Sequence, residues 1–99
     1  MSQELVMRIN KVIEFCDELK NDYGINTVPY KLAFISLLDL FYKKAIDEKT
    51  LREKVKEVVN GLKEFLIYYK YFLRRNHLKK RAENVDNNIW KLISITSQL

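Results

Sequence analysis

Arg74, Arg75, Lys79, Lys80 and Arg81 crowd into one short stretch, and no acidic residue interrupts the chain from Lys70 to Arg81. Guanidinium and ammonium groups at that density suit phosphates, anionic lipid or an acidic protein face. Phosphate neutralisation by Lys and Arg supplies most non-specific affinity for nucleic acid and makes it salt-dependent. Tyr68 and Tyr71 stand just ahead of the run, where their rings could stack on bases. Two plainer explanations compete. Cations near a helix C-terminus favour the macrodipole and remain solvated, and lysine-rich surfaces are common in heat-stable proteins.

His77, the single histidine, lies inside the same stretch. An Arg and a His holding a phosphodiester between them would resemble the pair in helical ribonucleases of the HEPN type. His77 follows Arg75 too closely for that pattern and has no carboxylate partner in local spacing. The chain has no glycine-rich phosphate loop, no His-x-x-x-His, no paired cysteines and no Gly-x-Ser-x-Gly. These residues point to a non-enzymatic protein with no catalytic residue, no metal site, no cofactor and no small-molecule substrate. The lone Cys16 excludes an internal disulfide and falls on an apolar helical face, where a thiol acts as a small hydrophobe.

The element that must position the cations is a long helix from Thr50 to about Arg81. Leu51, Val55, Val58, Leu62, Leu66, Tyr69 and Leu73 recur at three- and four-residue steps and form its apolar seam. A rotation of about 100° per residue places Arg52, Lys56, Lys63, Lys70, Arg74 and Arg81 on one flank as a cationic rail. The other flank collects Gly61, Phe65, Tyr68 and Phe72. Thr50-Leu-Arg-Glu53 matches a capping box at its start. Asn60-Gly61 could break the helix, but the seam passes through without a change of phase, so a continuous helix is expected.

Three more helices complete the expectation. The first runs from about Ser2 or Gln3 to Tyr23, buries Leu5, Val6, Ile9, Val12, Ile13, Cys16, Leu19 and Tyr23, and stops at Gly24. The second has Thr27 as cap and Pro29 in its first turn, and extends from Tyr30 to Ile46. Apolar residues nearly encircle it, so it is either the centre of the bundle or partly covered by a second subunit. The fourth starts at Asp86 and carries Ile89, Trp90, Leu92 and Ile93. The fold class expected is all-α: one domain over residues 1–99, a compact bundle of about four helices with one long helix near residues 50–83.

Composition agrees with this scheme. Two glycines and one proline in 99 residues leave little material for sheet turns. Residues 1–50 hold seven Lys/Arg and eight Asp/Glu, while residues 51–99 hold eleven and five, so the surplus of positive charge belongs to the second half. The first residues lack the apolar core of a secretory signal, and Leu32 to Tyr42 is too short to span a bilayer. An intracellular location is expected.

The function expected first is that of a small helical interaction protein that dimerises; the alternative is nucleic-acid binding through the basic flank of the long helix. Lys63, Lys70, Arg74, Arg75, Lys79, Lys80 and Arg81 are the candidate contacts to DNA or RNA. Gly61, Phe65, Tyr68, Tyr71 and Phe72 are the candidate oligomer interface, since outward aromatics beside a glycine suit helix packing between copies. A homodimer formed there would also cover the surplus apolar face of the second helix. If the cations instead paired with Glu14, Asp17 or Glu18, the rail would be a structural ion-pair network.

In the opening segment from Met1 to Asn10, and in the tyrosine- and lysine-rich segment Tyr68-Tyr-Lys-Tyr-Phe-Leu-Arg-Arg75, the chain resembles small helical proteins of archaeal filamentous viruses, the lipothrixvirus and rudivirus group. The resemblance implies a hot, acidic host (host cytoplasm as the location) and a double-stranded DNA genome. It offers no motif from which residue roles carry across.

Overall fold

Three left-handed residues divide the chain into its helices: Gly24 at φ 67°, Lys44 at φ 62° and His77 at φ 61°. The computed structural model describes residues Ser2–Leu99, with α1 at Ser2–Tyr23, α2 at Val28–Tyr42, α3 at Glu48–Arg75 and α4 at Lys79–Thr96. The protein is an all-α four-helix bundle. Consecutive helices run antiparallel: Lys70 of α3 meets Asp86 of α4, while Arg52 near the start of α3 donates to the carbonyl of Leu99. α2 packs on α1 and α3 and does not touch α4, so these two sit on the diagonal.

α1 ends as its sequence indicates, with the Gly24 N–H bonded to the Lys20 carbonyl and the Ile25 N–H to that of Leu19. The other two stops lack glycine. After α2, the Ala45 N–H bonds to the Leu40 carbonyl and that of Lys44 to Phe41; after α3, Leu78 bonds to Leu73 and His77 to Arg74. Both are Schellman closures, which require the penultimate residue to take positive φ. α2 therefore stops at Tyr42 rather than Ile46, and α3 at Arg75 rather than Arg81. Leu78 serves at once as the hydrophobic residue closing α3 and as the N-cap position of α4. Asp86, expected to begin the last helix, lies well inside it.

Two further caps differ from expectation. Asp47, not Thr50, starts α3: its carboxylate accepts the Thr50 N–H at 2.8 Å, placing Thr50 in the first turn. Thr27 makes no side-chain cap for α2. Its buried hydroxyl donates to the Cys16 carbonyl at 2.6 Å, tying the α1–α2 connection back onto α1.

The core contains Leu5, Ile9, Val12, Phe15, Cys16 and Leu19 of α1, Phe34 and Leu38 of α2, Leu51, Val55, Val59, Leu62, Leu66 and Leu73 of α3, and Ala82, Val85, Ile89 and Leu92 of α4. Phe15 belongs to it although the periodic reading passes over it, whereas Tyr23 is exposed. α3 is continuous through Asn60-Gly61. A Cβ at Gly61 would meet only the Tyr30 ring at 3.8 Å, an ordinary contact. α2 is not the centre of the bundle: Leu32 (55% exposed), Ile35, Leu40 and Tyr42 face outward. Among the described residues no helix is long and apolar enough to cross a membrane.

Candidate nucleic-acid interface

The break at His77 redistributes the cations. Arg74 and Arg75 occupy the last turn of α3, and Lys79, Lys80 and Arg81 the first turn of α4. The two groups lie on either side of the short connection Asn76–Leu78, at the tip of the α3–α4 hairpin. α1 ends beside this tip: Asp22, Tyr23 and Ile25 line a cavity of about 300 Å³ with Tyr69, Leu73, Arg81, Asn84 and Val85. All five tip cations are exposed, and none forms an ion pair among the described residues.

The rail expected along one flank of α3 does not persist as a single surface. Lys70 is drawn into the α3–α4 interface, its Nζ 3.0 Å from Asp86 Oδ1 and its side chain 15% exposed. Arg52 is taken by the Leu99 carbonyl. Lys56 and Lys63 border a groove against the end of α4, with Val59, Ile93 and Thr96, remote from the tip. The acids named as possible partners of the rail are otherwise engaged or distant: Asp17 pairs with Lys31 and Glu18 with Lys91, and Glu14 is exposed without an ion pair among the described residues. The structure thus separates Lys70 and Arg52, engaged within the fold, from the five tip cations, which form no ion pair among the described residues.

The macrodipole accounts for only part of that cluster. Arg74 and Arg75 lie where a helix C-terminus favours positive charge. Lys79, Lys80 and Arg81 lie at a helix N-terminus, where the dipole opposes them, with no acid in the turn and no side-chain cap on the exposed N–H groups. For folding alone, acids would be better placed there.

The aromatic flank also divides. Phe65 packs within the chain, 5.7 Å from the Tyr30 ring and stacked on Tyr69 at 6.3 Å, and Gly61 abuts Tyr30. Both are half-buried and still line an open groove with Tyr68, Tyr69 and Phe72. Tyr69 stacks in turn on Phe72 at 6.3 Å, with planes 13° apart. The result is a four-ring ladder, Tyr30–Phe65–Tyr69–Phe72, climbing toward the tip. Phe72 at its upper end is 56% exposed, Tyr68 is 82% exposed, and Tyr71 faces solvent with the Lys70 ammonium 5.2 Å from its centroid. Tyr68, Tyr71 and Phe72 line a groove of about 470 Å³ together with Arg75 and Asn76.

His77 is exposed in the turn, its N–H bonded to the Arg74 carbonyl. Its backbone conformation closes α3. Among the described residues no cluster of His, Cys, Asp and Glu is placed to hold a metal ion. Burial pushes the Cys16 thiol up to about 12, so it stays protonated in the core.

No protein-family model matches the chain, and neither a curated protein nor a solved structure is similar to it.

Proposed function

We propose that this is a non-enzymatic binding protein whose site is the α3–α4 tip and whose ligand is nucleic acid. The observation that carries the reading is the cluster Arg74, Arg75, Lys79, Lys80 and Arg81, exposed and without ion-pair partners among the described residues. Three of the five oppose the dipole of the helix that bears them. A phosphate backbone supplies the missing negative charge and, by releasing counterions, a driving force independent of sequence. The test is an anisotropy titration of a labelled oligonucleotide at a series of salt concentrations. Binding whose logarithm falls linearly with log salt supports the reading; no binding at low salt ends it.

A homodimer is the second reading, and α2 favours it. Leu32, Ile35 and Leu40 are exposed on α2, on either side of a narrow polar line of Ser36, Asp39 and Lys43. Ser36 lies midway between the two leucines, so a two-fold axis there would set Leu32 of one copy against Leu40 of the other. Sedimentation at micromolar concentration tests this directly. A dimer that becomes monomeric in Leu32→Glu, with unchanged helicity, supports it, and a monomeric wild type removes it.

A further inference from the structure

We infer that the groove formed by Tyr68, Tyr71, Phe72, Arg75 and Asn76 takes the bases of an unpaired nucleic-acid strand, whose phosphates run onto the cations of the hairpin tip. This rests on the nucleic-acid reading above and narrows it to single strands.

In the ring ladder Tyr30 is tilted by 31° against Phe65, but the upper three rings are nearly parallel, 5° apart for Phe65–Tyr69 and 13° for Tyr69–Phe72. Phe72 therefore presents a ring already set in a stack, and the next position outward is open. Tyr68 and Tyr71 stand three and four positions from their neighbours on the same helix face, Tyr68 almost wholly exposed and neither in a ring pair among the described residues. Three large rings left in water on a regular helix are unfavourable for a monomer unless something covers them. Because α3 holds their backbones, covering them fixes little additional freedom.

The groove's other wall determines what the cover is. Arg75 lines it beside the rings, and Arg74, Lys79 and Lys80 follow within the same tip. Flat apolar faces adjoining unpaired cations match a polymer that alternates flat bases with phosphates. In a duplex the bases stack on one another, and only phosphates and groove edges face a helix; the cations would be used and the rings would not. On the side of Tyr68 away from the tip, Glu64 shares a second groove with Tyr30, Gly61 and Phe65, and Tyr68, Tyr69 and Phe72 reach into it as well. That carboxylate repels phosphate, so the strand's path runs from Tyr68 toward the tip.

The experiment compares three labelled ligands of about 15 nucleotides: oligo(dT), a duplex of equal length and a base-free strand with the same phosphate count. Each is titrated by anisotropy with wild type, Tyr68→Ala/Tyr71→Ala and Tyr68→Phe/Tyr71→Phe, and each protein is also sedimented. Both residues are exposed, so helicity by circular dichroism should stay at the wild-type level. The inference predicts that oligo(dT) binds at least about tenfold more tightly than the base-free strand. The alanine pair should lose roughly tenfold or more for oligo(dT) and almost nothing for the base-free strand, while the phenylalanine pair keeps wild-type affinity. Equal affinity for oligo(dT) and the base-free strand overturns the inference and leaves the phosphate-binding reading standing. So does an alanine pair that turns a dimer into a monomer without changing affinity, which would make the rings a protein interface. Failure to bind any of the three ligands overturns both.

Discussion

Lys70 Nζ lies 3.0 Å from Asp86 Oδ1, a half-buried bridge from α3 to α4 one turn below the tip. It divides the cations that serve the fold from those that do not. Asp86→Ala leaves the Lys70 ammonium in a poorly solvated position without its partner. The expected loss is about 1–2 kcal/mol, between the values for exposed and buried pairs. Arg74→Gln and Arg75→Gln should each change stability by less than about 0.5 kcal/mol. Urea unfolding measures both, and equal losses on the two sides of the bridge would remove the distinction.

His77 holds φ 61°, a region in which a β-carbon crowds the following carbonyl. His77→Gly should raise stability by about 1 kcal/mol, or several degrees in Tm for a domain of this size. Were α3 continuous to Arg81, glycine would sit mid-helix and lower stability by roughly 0.3 kcal/mol, histidine being itself a modest helix former. The sign of the change decides between the two.

Lys79 and Lys80 work against their own helix. Replacing them with glutamine should stabilise the fold by about 0.3 kcal/mol or more each at low salt, a gain that shrinks as salt screens the dipole. The same variants should bind nucleic acid less well. Stability and binding moving in opposite directions distinguishes a ligand site from a solvated helix end, and a parallel loss of both would contradict it.

The acid limb of stability should carry the signature of Asp47. The Thr50 backbone N–H bonded to its carboxylate holds that group below the usual carboxylate range. A carboxyl with a lower pKa folded than unfolded contributes stability above its unfolded pKa and loses it as pH falls through the folded value. Asp47→Asn keeps an acceptor for the cap but does not titrate. Wild type should therefore lose more stability than Asp47→Asn between about pH 5 and pH 2. Identical acid limbs would mean that the ionisation of Asp47 contributes nothing to stability.

Much of the bundle could be read from residue spacing, because its seams are regular: Leu5, Ile9, Val12, Cys16 and Leu19 of α1 and Leu51, Val55, Leu62, Leu66 and Leu73 of α3 are buried as their periods require, whereas Val6, Ile13, Val58 and Tyr69 are only partly buried and Val59 takes a core place. The continuity of α3 through Gly61 was legible for the same reason. What spacing missed were helix ends that depend on backbone conformation rather than composition. Lys44 and His77 adopt the left-handed conformation without being glycine, and no residue pattern announces that. One unread stop displaced everything after it. Lys79, Lys80 and Arg81 moved from the end of one helix to the start of another, and Asp86 from a cap to a partner of Lys70. The candidate cations were identified by composition, but their arrangement as a tip required the turn. The ring ladder was not legible either, since Tyr30 joins it from α2.

If anion binding resides at the α3–α4 tip and not in the overall charge, two variants of equal net charge should differ. One replaces Arg74, Arg75, Lys79 and Lys80 with glutamine; the other replaces Lys11, Lys20, Lys49 and Lys56, exposed cations scattered elsewhere on the surface. Both lower the formal net charge from +5 to +1. Oligonucleotide affinity is measured for each, and for wild type, across a salt series. The tip variant should lose about 1 unit of log–log slope per cation removed and most of its affinity. The scattered variant should keep a slope close to that of wild type. Equal loss in both variants, or a tip variant that binds as wild type does, would contradict the account.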